Sequence, residues 1–296
     1  PGYWSYGTTY THAFISSLDK ACGTSYGIYQ SPGFEYSVYF TTYLGSMNTT
    51  WGFHDGGSGS ADTNIAAWFA VKSGDGNVNT IRRQAIEEGW KGVSFYDVIY
   101  FNPHIVSNTV TLSKDAYYSL DTIMTFRDSW DVDRSVFTGL HGGDNAASHG
   151  DLDIGNFVIC VDGTYMIGEL GSENYNVEGY FGSYRWSYYR KRAEGQNTLV
   201  MRPAGTSWNN TTGDPNNQVV GTPDQISSAV SKALRFESGE DSALGVVDMS
   251  PAYEYMTSGI RGLYYTDNRS TIVIQDEAIF DRSMDVWWFA HTQGDI

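Results

Sequence analysis

The spacing of apolar residues changes period once along this 296-residue chain, near Thr109, and that change limits the fold more than any other feature. Before it, apolar side chains recur every three or four residues: Ala13, Phe14, Leu18 and Ala21; Phe34, Val38, Tyr39 and Tyr43; Ile65, Trp68 and Phe69; Ile81, Ala85 and Ile86. Such spacing lines one face of a helix. After it, the period is two, in Thr109–Leu112, Ile123–Phe126, Phe157–Val161, Tyr165–Ile167, Asn197–Met201, Ile272–Ile274 and Val286–Phe289, which predicts strands. Helices followed by strands predict an α+β chain whose sheet is mostly antiparallel. Breaks fall at Gly23–Pro32 and Gly52–Gly59, with Asn64 or Asp62 capping the third helix. A short helix is expected over Val93–Tyr100, one or two helical turns over Ile226–Ala233, and a long loop over Gly205–Pro223. The chain opens on PGYWSYGTTY, without Met and already in helical spacing, so further sequence is expected upstream.

A hydrophobic content of 41% supports a large core, and no run of 18 apolar residues offers a membrane span. No signal peptide is visible, and the compartment stays open because upstream sequence would hide one. The two cysteines, Cys22 and Cys160, read as buried free thiols. With 34 acidic against 18 basic residues, the net charge of -16 argues against nucleic acid as a partner. An anionic ligand must therefore meet a local basic site. Arg185, Arg190, Lys191 and Arg192 form one, interleaved with Tyr184, Trp186, Tyr188 and Tyr189. Arginine forks pair with carboxylates and sulfates while aromatic faces stack on sugar rings, so an acidic saccharide suits the mixture. A charged strand edge that resists aggregation explains the cluster equally well.

Chemistry concentrates in residues 145–198, which hold one histidine, seven carboxylates and six tyrosines. Within them SHGDLDIGNFVI, then ELGSENYNVEGYF, then YYRKRAEGQNTLV occur in order, followed by VVDMSPAY, RGL and WFAHT. Together with PGYWSYGTTY at the start and HDGG at His54–Gly57, this series resembles the heparinase II/III-like polysaccharide lyases. The resemblance implies the last helices of an incomplete α/α toroid over residues 1–105, an antiparallel β-sandwich over residues 106–296, and a saccharide cleft. The exposed edge of a partial toroid would also favour oligomerisation.

The implied reaction is β-elimination at a uronic acid: a base takes the C5 proton and an acid protonates the departing glycosidic oxygen. By resemblance Tyr3 is the acid/base tyrosine and His149 the histidine that neutralises or positions the sugar carboxylate. Tyr6 and Tyr10, one and two helical turns on, are rivals or sugar contacts, as is His54, and Arg185, Trp186, Arg190 and Arg192 complete the expected saccharide surface. A tyrosine stripe at this spacing is equally a packing face. No residue matches the Asn or His that earlier toroid helices supply. Related proteins hold zinc through histidines and an acid where this chain has Asp151, Glu169 and Gln196. Oxygen donors suit calcium or plain hydrogen bonding better than zinc, so no metal is expected, with calcium as second choice. The competing reading is a carbohydrate-binding sandwich without catalytic power.

Overall fold

The computed structural model describes residues 2–46, 48–57, 64–105, 107, 109–131, 135–182, 184–205 and 225–292. The chain divides into two compact units, Pro1–Thr50 with Gly59–Ser113 and Trp130–Asp133, and Trp51–Ser58 with Lys114–Ser129 and Arg134–Ile296. The first is helical and the second is built of strands.

In the helical unit, α1 (Gly2–Cys22), α2 (Val38–Tyr43), α3 (Ala66–Ser73), α4 (Gly76–Glu87) and α5 (Phe95–Tyr100) follow the predicted order. The face of α1 does not. Ser5, Thr8, His12 and Ile15 are its buried residues, whereas Phe14 is 56% exposed. The reason is an aromatic core whose ring edges accept a polar partner: the His12 ring meets Trp68, Tyr96 and Tyr100 edge-on at 4.8, 5.1 and 5.2 Å. Asn64 does not cap α3, whose N-terminal flank is Ile65 without a side-chain cap, and Asp62 lies outside the described residues. Instead Gly74, at φ 75°, closes α3, and Asp75 caps α4 by accepting from the Asn77 N–H at 2.8 Å. Ser94 and Asp97 form a capping box on α5, and the buried Arg82 of α4 grips Asp97 through Nε at 2.9 Å and Nη2 at 2.6 Å.

The second unit carries an antiparallel sheet in the order β1 (Ala116–Tyr118), β2 (Ile123–Arg127), β3 (Val136–His141), β4 (Phe157–Val161), β5 (Thr164–Ile167). A second antiparallel sheet has the order β10 (Thr271–Phe280), β9 (Met256–Thr266), β8 (Ala243–Asp248), β7 (Ala233–Ser238), and β6 (Leu199–Pro203) pairs with β11 (Met284–Trp288). The sheets share one core, in which Met124, Phe126, Leu140 and Phe157 meet Val247, Leu263, Tyr265 and Met201. Two α+β expectations hold at this level: few helices come first, and the sheets are antiparallel. Thr109–Leu112 is not a strand, and the helical turns expected over 226–233 are absent: the segment holds one turn at 227–228 and an isolated bridge at Val230, and Ala233 opens β7. Most of the loop predicted over 205–223 lies outside the described residues. Cys160 is buried, as read, but Cys22 is exposed at the end of α1. No helix among the described residues is long and apolar enough to cross a membrane.

Trp51 opens the second unit and anchors its first segment to the sheet. Trp51 is buried over β3, where Gly139 leaves the room; a Cβ there would overlap the indole carbons. The indole N–H donates to Glu169 Oε1 at 2.9 Å. This contact carries His54 and Asp55 into the strand unit.

Candidate functional site

The sequence NAASHG turns tightly before β4: the Ala147 N–H donates to the Asp144 carbonyl at 2.9 Å and the Gly150 N–H to the Ala147 carbonyl at 2.8 Å. His149 closes this turn at φ 65°, a conformation uncommon for a residue with a side chain. His54 adopts a similar φ, 59°. Such backbone persists only where surrounding contacts enforce it. Here Asp55 supplies two of them. Its N–H donates to the His149 carbonyl at 3.2 Å, and its Oδ2 lies 2.9 Å from His149 Nδ1. The Tyr175 hydroxyl lies 3.4 Å from the same nitrogen. The His149 side chain keeps 27% exposure, stacked beside Tyr175 at 6.0 Å and edge-on to Phe181 at 5.6 Å. An oriented imidazole on a partly open, aromatic-walled rim results.

Beneath the rim lies a buried charge lattice. Lys191 Nζ, fully buried, sits 2.9 Å from Asp55 Oδ1 and 2.8 and 2.9 Å from the two oxygens of Asp151. Arg185 Nη2 reaches Asp55 at 3.1 Å and Asp151 at 3.3 Å, and its Nε donates to the Gly150 carbonyl at 2.9 Å. Tyr180 donates to Asp55 Oδ1. Burial works against a charge on Asp55, but the bonds from Tyr180, Lys191 and His149 prevail and hold its carboxyl well below the usual range. Asp151, deeper, is pushed up by burial against the pull of Lys191. Burial and the bond to Asp55 raise Tyr180.

A second cluster lies deeper. His54 Nε2 stands 4.0 Å from Asp153 Oδ2 and 3.9 Å from Asp121 Oδ2; His141 Nδ1 bonds Asp153 Oδ2 at 3.0 Å, and its Nε2 stands 3.7 Å from Asp121 Oδ1. Burial lowers His54 and keeps it neutral, whereas for His141 the effect of burial is outweighed by Asp153 and Asp121, which push it up to about 10. Asp153 is lowered: burial opposes its charge, and His141, by charge and hydrogen bond, overcomes it.

The residues expected to bind sugar are distributed unevenly. Tyr3, Tyr6 and Tyr10 lie on α1 in the helical unit, 80, 68 and 66% exposed, with the Tyr6 and Tyr10 rings edge-on at 5.1 Å. His54, expected at the saccharide surface, is buried, because its ring packs at 5.0 Å from that of His141. The basic run is not a strand. It forms three short 3₁₀ turns, at Arg185–Ser187, Tyr189–Lys191 and Ala193–Gly195, which turn Arg185, Lys191 and Arg192 inward. Arg192 pairs with the buried Glu194 at 2.7 Å. Trp186 packs partly buried beside Leu152, Ala193 and Val200. Arg190 keeps a 43% exposed side chain, donating to the Leu170 carbonyl at 2.6 Å and pairing with Glu173 at 3.4 Å. Sequence reasoning missed Asp55, Tyr180, His141 and Asp121, and it placed Lys191 on the surface rather than inside. The signal for two of them was present: His54-Asp-Gly-Gly and His141-Gly-Gly both place a histidine before glycines that permit close approach.

No protein-family model and no curated protein matches the chain. Solved structures do. A crystal structure of heparinase III aligns at TM-score 0.60 and 15% identity, over 91% of this chain and 38% of that one. Heparan sulfate lyase HepC from Pedobacter heparinus aligns at TM-score 0.55 and 16% identity, over 94% of this chain and 38% of that one. At such identities the likeness establishes a shared fold, and it bears out the resemblance read from the motifs at that level. The chain spans well under half the length of these structures.

Proposed function

We propose that this chain is part of a polysaccharide lyase that cleaves uronic-acid-containing polysaccharide by β-elimination. In this reading the helical unit is the end of an α/α toroid and the strand unit its β-sandwich. The observation that carries it is the His149 imidazole, fixed at Nδ1 by Asp55 and flanked by Tyr175 and Phe181. A histidine needed only for packing has no use for a buried carboxylate on Nδ1, whereas one that meets a sugar carboxylate does: with Nδ1–H held by Asp55, the imidazolium form donates to the sugar through Nε2–H. As the C5 proton leaves, charge develops on that carboxylate, and a fixed donor stabilises it without reorganisation. Tyr3 takes the acid/base role: its oxygen removes the C5 proton, the C4–O bond breaks as a C4–C5 double bond forms, and the departing oxygen is protonated. The names of the solved relatives make heparan sulfate the first substrate to try.

Arg185 and Lys191 act in this reading as supports, because their charges are neutralised by Asp55 and Asp151. Arg190 and Trp186 remain the sugar contacts. The Asp151, Glu169 and Gln196 set does not fit zinc: the Lys191 ammonium already bridges both Asp151 oxygens, and Gln196 turns its Nε2 toward Asp151 at 3.3 Å. No step is routed through a metal there.

The test is incubation of the chain with heparan sulfate, chondroitin and alginate oligosaccharides while the ultraviolet absorbance of unsaturated uronate ends is followed. His149→Ala and Tyr3→Phe are expected to slow turnover by roughly 10²- to 10⁴-fold with unchanged circular dichroism. Turnover at the wild-type rate in both variants overturns the assignment. Saccharide binding by the wild type without any unsaturated product favours the non-catalytic binding reading instead.

A further inference from the structure

We infer that His54, His141 and Asp121 form a binding site for one divalent transition-metal ion of the zinc class, with Asp153 holding His141 in place. The site is separate from Asp151, Glu169 and Gln196 and stands independently of the lyase reading. All of its residues belong to the strand-built unit.

Three observations converge on it. First, ligand atoms of His54, His141 and Asp153 all lie within 4.8 Å of one another in full burial. Second, among the described residues, His54 Nε2 and His141 Nε2 are buried nitrogens without a hydrogen-bond partner. An unpartnered buried polar atom is costly, and two facing one carboxylate call for a common partner. Third, the space beside His141 Nε2 is kept open by a glycine. A Cβ on Gly143 would overlap that nitrogen and lie 3.1 Å from Asp121 Oδ1. The φ of Gly143, 81°, favours glycine on its own account, but it does not require that the vacated volume border two metal-ligand atoms.

The geometry suits a tetrahedral ion. Ligands at about 2.0 to 2.1 Å from zinc stand roughly 3.3 Å apart. Asp121 Oδ1 stands 3.7 Å from His141 Nε2 and its Oδ2 3.9 Å from His54 Nε2, so the carboxylate meets both imidazoles at distances a few tenths of an ångström longer than this. Two imidazoles and one carboxylate then leave a fourth position. Asp121 is 30% exposed at its side chain, which gives the ion a way in, while the two histidines are closed to solvent. Asp153 accepts from His141 Nδ1 at 3.0 Å and so directs Nε2 toward the ion, the usual outer-shell arrangement for a metal-bound histidine. Unlike Asp151, whose oxygens are occupied by Lys191, this cluster combines imidazole nitrogen with carboxylate oxygen. His54 also precedes Asp55, so an ion here would stiffen the segment that anchors His149.

The chain, stripped of metal with a chelator, is titrated with zinc chloride by calorimetry and with cobalt(II) by visible absorption, without saccharide. One ion per chain, a raised unfolding temperature and intense cobalt d–d bands are expected, with no response to calcium or magnesium. His54→Gln and Asp121→Asn should lose stoichiometric binding. Asp153→Asn should weaken it by roughly 10- to 100-fold in protein that circular dichroism shows to be folded. A wild type that takes up no stoichiometric zinc overturns the site, whatever the variants do. Zinc held with full affinity by a folded His54→Gln variant also overturns it, and moves the metal to other ligands. Because every readout is metal binding, failure here leaves the lyase proposal to its own test.

Discussion

At the scale of single residues, Glu169 shows how burial converts a carboxylate into a pH-dependent element. The residue is partly buried and its carboxylate turns inward, accepting from Trp51 Nε1 and Asn156 Nδ2. Burial first, and then the Asp153 charge, push it up from 4.5 to about 7. A carboxyl raised in the folded state binds its proton more tightly there than in the unfolded chain. Its stabilising contribution is complete below about pH 4.5 and is lost as pH rises through about 7. At about 1.4 kcal/mol per pKa unit, that loss is on the order of 3 kcal/mol. Glu169→Gln, which keeps an acceptor for both donors and carries no charge, is expected to lack it. Urea midpoints of the two proteins should converge in acid and separate in favour of the variant above neutrality. Parallel pH profiles would show that Glu169 does not titrate in this range.

At the scale of elements, the union of the Trp51 segment with β3 is the joint on which the rim depends, since His54 and Asp55 follow Trp51 by only a few residues. Gly139 pairs with Thr125 on one side and Val158 on the other, at the middle of the five-stranded sheet, where a side chain would strike the indole. Gly139→Ala is expected to destabilise the strand unit by about 1 to 3 kcal/mol, the usual cost of overpacking. The intrinsic fluorescence change on unfolding measures it. Gly57→Ala, where a Cβ meets open space, serves as the control and should leave the midpoint unchanged. Elements also explain two misreadings. The helical period placed α1 correctly but its apolar stripe on the wrong face, because aromatic ring edges in the unit's core accept His12. The run from Tyr184 to Arg192 alternates charge and aromatic as an edge strand does. It folds as 3₁₀ turns because the buried Asp55, Asp151 and Glu194 draw Arg185, Lys191 and Arg192 inward, a preference that no local pattern encodes.

At the scale of the whole molecule, a net charge of -16 repels polyanions, so any acidic saccharide must be held by short-range contacts. Since Arg185, Lys191 and Arg192 are spent inside, Arg190 is the cation of that cluster with an accessible side chain. Arg190→Gln is expected to weaken binding of sulfated or uronate oligosaccharides by about 1 to 3 kcal/mol at low salt, with neutral oligosaccharides unaffected. Equal losses for charged and neutral sugars in a binding titration would assign Arg190 a structural role. The amino-acid sequence by itself determined the order of helices and strands, since periodicity is a local property. It also offered the candidate segments, and His149 could be singled out there because tight glycine turns and polar runs are written in adjacent residues. Only the tertiary structure decided which charges face inward. Asp55 meets His149, Lys191 and Tyr180 from 94 and 125 residues away for the histidine and tyrosine, and His54 meets His141 across a similar span. Such pairings arise when a core excludes water and every buried charge must find a partner, a condition imposed by the folded unit as a whole.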